Sequence, residues 1–228
     1  CVITGDLTHT ADPDAYLDLS KCLSELPMPF YLLAGNHDRR KEMLAAFPDI
    51  PIDPDGFIQF ELSCSAGRFL MLDTVEEGKG WGSYCETRLR WLRETLAKAN
   101  DHRVYLFMHH PPFDIGIPSV DRLGLGADGR KMSEVLADFN NIRHLFFGHV
   151  HRPIAGSWRG IPYSTLRGTN HQVPLDFEAI EVVPKSHEPP AYAVVFLDDN
   201  QTTVHFHDYL DTSRLIYEKV SEGRPDRG

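Results

Sequence analysis

The sequence predicts an α/β fold in which two mixed β-sheets pack as a sandwich with helices outside. Short apolar runs that are typical of buried strands alternate with amphipathic stretches that are typical of helices. Other stretches alternate between apolar and polar residues on either side of a glycine-containing turn, as antiparallel hairpins do. Helical crossovers and antiparallel strands together indicate two sheets between layers of helices.

The composition limits the number of domains and the classes of partner that the chain can bind. With 228 residues, of which 42% are hydrophobic and 25% charged, the chain can bury a substantial core, and we expect one domain over residues 1–228. No run of about 18 apolar residues occurs, so we expect no membrane span. The formal charge of −10 disfavours a nucleic-acid polymer or an anionic membrane as partner. A small anionic substrate would therefore need a local cation, which a bound metal supplies.

The four cysteines indicate free thiols. Cys1, Cys22, Cys64 and Cys85 lie far apart in the chain and form no CxxC pair. This spacing argues against a metal site built from thiolates and favours buried or scattered free thiols. A reducing cytoplasm is the simplest compartment for such a chain, and we expect the protein to be cytoplasmic.

The first predicted unit is a strand, a loop and a helix. Residues 1–4 are an apolar strand that ends at Gly5-Asp6. Asp12 is a suitable N-cap, with Pro13 at the first helical position. The helix then has an apolar face formed by Ala15, Leu19, Cys22, Leu23 and Leu26. It returns to residues 30–34, a continuous apolar run that predicts a strand covered on both faces.

The rest of the chain predicts two further helices and eight strands. The helices lie at about 86–99 and 131–139, and they lead into strands at 103–108 and 144–147. Strands at 57–62 and 68–73 are predicted to form an antiparallel hairpin. Four strands are predicted in the tail, at 154–158, 163–166, 191–197 and 203–209. We expect this β-rich part, about 154–228, to cover the functional site or to form a dimer face.

Five short polar motifs stand where strands should end. They are Gly5-Asp6, Gly35-Asn36-His37-Asp38, His109-His110-Pro111-Pro112, Gly148-His149-Val150-His151 and Gly168-Thr169-Asn170-His171. Strand ends are rigid and the loops that follow them converge, so metal ligands belong at such places. Carboxylate, amide and imidazole donors without any thiolate suit Mn, Fe, Zn or Co. The motifs together predict a metal-dependent hydrolase.

Each motif taken alone also has a plainer interpretation. A Gly-Asp pair is typical of a turn or a helix N-cap, and Asn-His-Asp is typical of a turn closed by side-chain bonds to the backbone. A His-x-His sequence is often just one face of a strand. Residues two apart in an extended segment do point to the same side, so His149 and His151 can face one metal cluster. The coincidence of several motifs at strand ends favours the metal site.

Two glycine-containing loops are candidates for the walls of a substrate pocket. Residues 76–84 include Trp81, and residues 113–129 begin with Phe113. Either aromatic ring could contact a base or an apolar group of a substrate. The alternative is an ordinary surface loop whose aromatic ring packs on the body of the protein.

The motifs resemble those of the calcineurin-like metallophosphoesterases. The family pattern is Asp-x-His, Gly-Asp, Gly-Asn-His-Asp or Glu, a lone or paired His, and Gly-His-x-His, and the chain matches the last four in order. Residues 107–112 and 166–174 are similar to a narrower branch of bacterial class III cyclic-nucleotide phosphodiesterases and related glycerophosphodiester phosphodiesterases. The resemblance covers residues 2 to about 174.

The resemblance implies a binuclear centre of two divalent metal ions. Its ligands would be Asp6, Asn36, His109, His149 and His151. Asp6 would bridge the two ions, and His151 would serve the second. The family's first motif, Asp-x-His, does not occur before Gly5-Asp6, and we expect a missing N-terminal strand and helix of about 40–50 residues. If the motif is truly absent, a non-catalytic metal-binding protein is the alternative.

The resemblance also implies the reaction and the remaining site residues. Water activated by the two ions would attack the phosphorus of a small phosphodiester, either a cyclic nucleotide or a glycerophosphodiester. His37 would be the catalytic residue that contacts the phosphate or assists the leaving group. His171 resembles a substrate-pocket histidine of this branch. His110 is an ambiguous candidate for substrate binding, because two consecutive strand residues face opposite ways. Trp81 and Phe113 are the further candidates for substrate contact, from the two loops described above. A phosphomonoesterase or nucleotide pyrophosphatase on the same site is an open alternative, as is a homo-oligomeric state.

Overall fold

The computed structural model describes residues 1–218 and shows ten strands and five helices in that part of the chain. The strands are β1 (Val2–Ile3), β2 (Tyr31–Leu32), β3 (Phe60–Cys64), β4 (Gly67–Met71), β5 (Val104–Met108), β6 (Ile142–Phe147), β7 (Ile154–Trp158), β8 (Ile161–Thr165), β9 (Tyr192–Leu197) and β10 (Thr202–His207). The helices are α1 (Pro13–Ser24), α2 (Arg40–Ala46), α3 (Glu86–Lys98), α4 (Pro118–Asp121) and α5 (Ala127–Leu136). The short helices α2 and α4 were not predicted from the sequence.

The strands form one large mixed sheet and two small sheets. The large sheet has the order β3-β4-β5-β6-β8-β7, in which the four central strands run parallel and the two edge strands run antiparallel to their neighbours. The predicted hairpin is the antiparallel pair β3–β4. Strands β1 and β2 pair in parallel, and β9 and β10 pair in antiparallel fashion. The second predicted mixed sheet therefore exists as two separate pairs of strands.

Both faces of the large sheet are buried, and this sets the order of the layers. Val104, Leu106 and Met108 point into a core shared with α3 and α5. Tyr105 and Phe107, which alternate with them along β5, point into a second core shared with α1, α2 and the two small sheets. The chain is therefore an α/β sandwich with the layers α-β-β-α, as predicted.

Helix α1 begins as predicted and buries Leu23 of the predicted apolar face, but it does not bury that whole face. Asp12 caps the helix with its carboxylate. Ala15 and Cys22 of the predicted apolar face are exposed, whereas Tyr16 is fully buried. The hydroxyl of Tyr16 donates a hydrogen bond of 2.8 Å to the buried carboxylate of Asp38. A search for apolar periodicity misses this polar contact, so that part of the prediction was wrong.

The β9–β10 hairpin packs one face on the second core and leaves the other face exposed. The exposed face consists of Tyr192, Val194, Phe196, His205 and His207. Residues 219–228 of the predicted β-rich part lie outside the described residues. In the part of the chain that the structure describes, no helix has the length and apolar character needed to cross a bilayer.

A buried carboxylate ties the end of β4 to two helices. The guanidinium of Arg40 donates two hydrogen bonds of 2.7 Å to Asp73, and the backbone N–H groups of Ile58 and Val75 donate two more. The guanidinium of Arg88 lies 3.8 Å from the same carboxylate. Because removal of one partner of a buried ion pair leaves a charge uncompensated, this cluster is sensitive to substitution.

We expect Asp73→Ala to lower the free energy of unfolding by about 3–5 kcal/mol, because two arginines lose their buried carboxylate. The measurement is urea unfolding followed by circular dichroism. Asp18→Ala is the matched control: Asp18 pairs with Lys21 at the surface, both side chains are 76% exposed, and no measurable change is expected. Similar unfolding midpoints for the two variants would contradict the role given to Asp73.

A buried histidine makes the stability depend on pH. Nε2 of His144 in β6 lies 2.9 Å from the hydroxyl of Ser164 in β8, and the imidazole stacks on Phe146. Burial lowers the pKa of His144 to about 4. The unfolded chain takes up this proton near pH 6.5 and the folded chain only near pH 4, so the unfolded state binds more protons in that window. The contribution of His144 to the free energy of unfolding therefore falls as the pH falls from 6.5 to 4.

We expect His144→Gln to reduce this pH dependence, because glutamine keeps a hydrogen-bonding group near Ser164 but does not titrate. Urea midpoints of the wild type and the variant are compared at pH 7, 6 and 5. The exposed His102, replaced by glutamine, serves as the control. An equal loss of stability with falling pH in His144→Gln and in the wild type would refute this role.

Candidate metal centre

Four strand ends bring a carboxylate, a carboxamide and two imidazoles together. Asp6, Asn36, His109 and His149 follow β1, β2, β5 and β6 respectively. Nε2 of His109 lies 3.1 Å from Oδ1 of Asn36 and 3.4 Å from Oδ1 of Asp6. Nδ1 of His149 lies 3.0 Å from the same Asn36 oxygen and 3.3 Å from Nε2 of His109. The four predicted residues therefore present their donor atoms to one point.

These separations fit the coordination shell of a divalent ion. Bonds of about 2.0–2.1 Å from a tetrahedral ion to nitrogen or oxygen place neighbouring ligand atoms about 3.3–3.4 Å apart, and octahedral geometry brings them slightly closer. The observed distances of 3.0–3.4 Å lie at these values. The donor set, with oxygen and imidazole nitrogen and no thiolate, also suits a transition metal.

The protonation of His109 is fixed by the backbone. Nδ1 of His109 lies 2.7 Å from the carbonyl oxygen of Thr4. Because a carbonyl only accepts hydrogen bonds, Nδ1 must carry the proton, and in the neutral ring the lone pair lies on Nε2. This is the nitrogen that faces Asp6 and Asn36, so the hydrogen bond to Thr4 prepares His109 to bind a cation.

Electrostatics favour the metal-binding forms of Asp6 and His149, but not of His109. Burial opposes the charged form of His109, but the charge of Asp6 and hydrogen bonds to Asp6 and Thr4 outweigh it and raise its pKa, so a bound cation would displace one proton from this ring. Burial would raise the pKa of Asp6, but the charge of His109 and hydrogen bonds from His109 and His37 outweigh it, so the pKa is lowered and the carboxylate is ionised. Burial, followed by the charge of His109, lowers the pKa of His149 to about 3, so its ring is neutral at pH 7. Nε2 of His149 is buried and has no hydrogen-bond partner among the described residues.

The backbone around the centre adopts strained conformations. Asp6, His149 and His151 have φ values of 56°, 64° and 46°, in the left-handed region that residues with a side chain rarely adopt. Such strain concentrates at functional sites, where the surrounding structure enforces it. Gly5 has a φ of 101°, and a Cβ there would lie 2.6 Å from Nδ1 of His109. Only glycine therefore allows the Gly5-Asp6 turn to lie this close to His109.

Asp38, a buried acid that was not among the predicted site residues, connects the two loops that carry Asp6 and Asn36. The carboxylate of Asp38 accepts hydrogen bonds from the backbone N–H groups of Leu7 and Gly35, at 3.1 and 2.8 Å, and from the hydroxyl of Tyr16. Leu7 lies in the loop after β1, and Gly35 lies in the loop after β2. Asp38 therefore joins the two loops that carry Asp6 and Asn36.

His37 and His151 lie beside this cluster, each against a second histidine. Nδ1 of His37 donates to the carbonyl of His9 at 2.8 Å, and Nδ1 of His151 donates to the carbonyl of His171 at 2.7 Å. His9 was not among the predicted site residues. The sequence feature that could have identified His9 as a site residue is its position in the loop after Asp6.

The remaining predicted residues lie in different surroundings. His110 is fully buried, and Nδ1 of its ring and its backbone N–H both bond to the hydroxyl of Thr74. One of its ring nitrogens also lies within 4.8 Å of ring nitrogens of His109 and His149. Trp81 is 47% exposed, and Phe113 packs against the aromatic rings of Phe147, Trp158 and Tyr163. Contact of these residues with a substrate stays a prediction.

Known proteins resemble the chain in sequence and in fold. The sequence profile of the family described as calcineurin-like phosphoesterase matches residues 1–153. A probable cyclic nucleotide phosphodiesterase of Rhodopseudomonas palustris is 41% identical over 207 residues, which are 90% of this chain and 75% of that protein. A probable glycerophosphodiester phosphodiesterase GpdQ of Arcobacter nitrofigilis is 29% identical over 92% of this chain and 77% of its own length. A dimetal phosphatase from Danio rerio has the same fold, with a TM-score of 0.69, 18% identity, and coverage of 90% of this chain and 79% of that one.

The family match extends over the part of the chain that forms the cluster. It includes β1, β2, β5 and β6 together with the four residues whose donor atoms meet at one point. The resemblance drawn from the polar motifs is thus confirmed by the match, and the α/β sandwich agrees with the structural likeness. The chain belongs to the calcineurin-like phosphoesterase family.

Proposed function

We propose that this protein is a metal-dependent phosphodiesterase that hydrolyses small phosphodiesters. The convergence of donor atoms from Asp6, Asn36, His109 and His149 supports the metal site. The names of its relatives, a cyclic nucleotide phosphodiesterase and a glycerophosphodiester phosphodiesterase, support a diester as the substrate. The formal charge of −10 makes a local cation necessary for binding such an anion.

The four donors that meet at one point fit one divalent ion, which Asp6, Asn36, His109 and His149 would hold. The family resemblance implies a second ion, to which Asp6 and His151 would contribute. Mn, Fe, Zn and Co all suit this donor set. When bound, such ions polarise the phosphoryl oxygens and lower the pKa of water toward about 7, so that hydroxide is available as the nucleophile.

The neutral ligand Asn36 leaves positive charge for the substrate. Of the four groups in the first site, only the carboxylate of Asp6 carries a negative charge, since the imidazoles bind metal in their neutral form. A divalent ion in this site therefore keeps a net positive charge. That charge can attract the single negative charge of a phosphodiester and offset charge that develops on its oxygens during displacement.

His37 would exchange a proton with the substrate in the proposed reaction. The carbonyl of His9 holds the proton on Nδ1, so Nε2 is the atom free to accept or donate. The backbone N–H of His37 donates to Oδ1 of Asp6 at 3.0 Å, which fixes the ring beside the proposed bridging ligand. A protonated Nε2 would donate to a phosphoryl oxygen or to the departing alkoxide. No protein nucleophile is needed for this reaction.

The direct test compares a diester with a monoester. We expect metal-loaded protein to hydrolyse bis-p-nitrophenyl phosphate with a higher kcat/KM than p-nitrophenyl phosphate. Removal of metal with a chelator should abolish turnover, and readdition of Mn²⁺ or Co²⁺ should restore it. Preference for the monoester would indicate a phosphomonoesterase, and bound metal without any turnover would indicate a non-catalytic protein. Either result would overturn the proposal.

We expect Asn36→Ala to reduce kcat at least about 100-fold. Loss of a residue that only supports a metal ligand typically lowers metal affinity or activity about 10–100-fold, and loss of the ligand itself should cost more. Asn36→Asp keeps an oxygen donor and should retain bound metal. The measurements are turnover of bis-p-nitrophenyl phosphate and metal content by mass spectrometry. His205→Ala, at an exposed histidine of the hairpin, is the control and should match the wild type. An unchanged kcat in Asn36→Ala with metal still present would disprove the assignment of Asn36.

A further inference from the structure

Two pairs of histidines beside the metal centre have the same construction. The rings of His9 and His37 are stacked, with centroids 5.0 Å apart and planes at 25°. The rings of His151 and His171 have centroids 4.5 Å apart and planes at 36°. In each pair the backbone carbonyl of one histidine accepts the Nδ1 proton of the other, at 2.8 Å and 2.7 Å. His9 therefore orients the ring of His37 in the same way that His171 orients the ring of His151.

The two pairs lie within electrostatic range of each other. Burial lowers the pKa of His171 to about 4, and the nearby groups that lower it further are His151, Lys185, His37 and His9. His171 is thus within electrostatic range of both members of the other pair. His9 and His171 come from loops 162 positions apart in the chain, after β1 and after β8.

The loop that carries His9 is held firmly. The backbone N–H of Leu7 donates to the buried carboxylate of Asp38, and the N–H of Ala11 donates to the hydroxyl of Thr8 at 2.9 Å. His9 itself is exposed, so its ring stacks on His37 with one face and leaves other surface open to solvent. A rigid loop thus presents a flat, solvent-accessible ring next to the proposed catalytic residue.

We propose that His9 determines substrate specificity by stacking its open ring face on a planar substituent of the phosphodiester. Nucleobases and aryl groups have a π-face that stacks on flat side chains, whereas a glycerol or ethanolamine substituent has none. This inference rests on the proposed phosphodiesterase function and narrows it. It favours diesters that carry a base or an aryl group over purely aliphatic ones.

The test compares a planar substrate with an aliphatic one. For metal-loaded His9→Ala we expect KM for 3′,5′-cyclic AMP to rise about tenfold, and KM for glycerophosphoethanolamine to change less than about twofold, because only the first substrate loses a stacking contact. His9→Phe keeps a flat ring and should hold KM for cyclic AMP within about twofold of the wild type. His102→Ala, at an exposed histidine before β5, is the control and should match the wild type with both substrates.

Three results would overturn the proposal. They are an unchanged KM for cyclic AMP in His9→Ala, an equal rise in KM for both substrates, and a failure of His9→Phe to retain binding. If the wild type hydrolyses neither diester, the proposed function fails, but His9 can still be tested by calorimetric titration of 5′-AMP and glycerol 3-phosphate. Weaker binding of 5′-AMP alone in His9→Ala would support the stacking role, and equal weakening of both would refute it.

Discussion

The site depends on holding four electron-rich atoms within 3.4 Å of their neighbours. The oxygens of Asp6 and Asn36 and the ring nitrogens of His109 and His149 lie 3.0–3.4 Å apart. Electron-rich atoms repel one another unless a cation or a shared proton lies between them. In the absence of a metal ion, a proton on His109 has this role toward the carboxylate of Asp6. A divalent ion would replace that proton and satisfy all four atoms at once. The surrounding fold holds these four atoms in this arrangement.

Several features hold the donors in place. The carbonyl of Thr4 orients His109, and the carboxylate of Asp38 joins the loops that carry Asp6 and Asn36. The left-handed backbone at three of the proposed ligands lies in the loops that follow β1 and β6, where the surrounding structure enforces it. The ion cluster of Asp73 continues this support, since the next residue, Thr74, bonds to His110 beside the centre.

Much of this arrangement could be predicted from the sequence, and two of the failures share one cause. Strands β5 and β6 and helix α3 were predicted almost to their ends, because continuous apolar runs and a clear apolar face record burial directly. The burial of Tyr16 in α1 was missed because its hydroxyl bonds to Asp38, 22 positions away in the chain. His9 was missed because its partner His37 lies 28 positions away. Contacts between polar residues from distant loops leave no periodic trace in a sequence.

The most direct test of the central claim is anomalous diffraction from crystals of the protein loaded with Mn²⁺ or Zn²⁺. We expect a strong anomalous peak about 2.0–2.3 Å from Oδ1 of Asp6, Oδ1 of Asn36, Nε2 of His109 and Nδ1 of His149. A peak that lies only elsewhere, for example at the exposed His205 and His207, with those four atoms bound to no ion, would contradict the account.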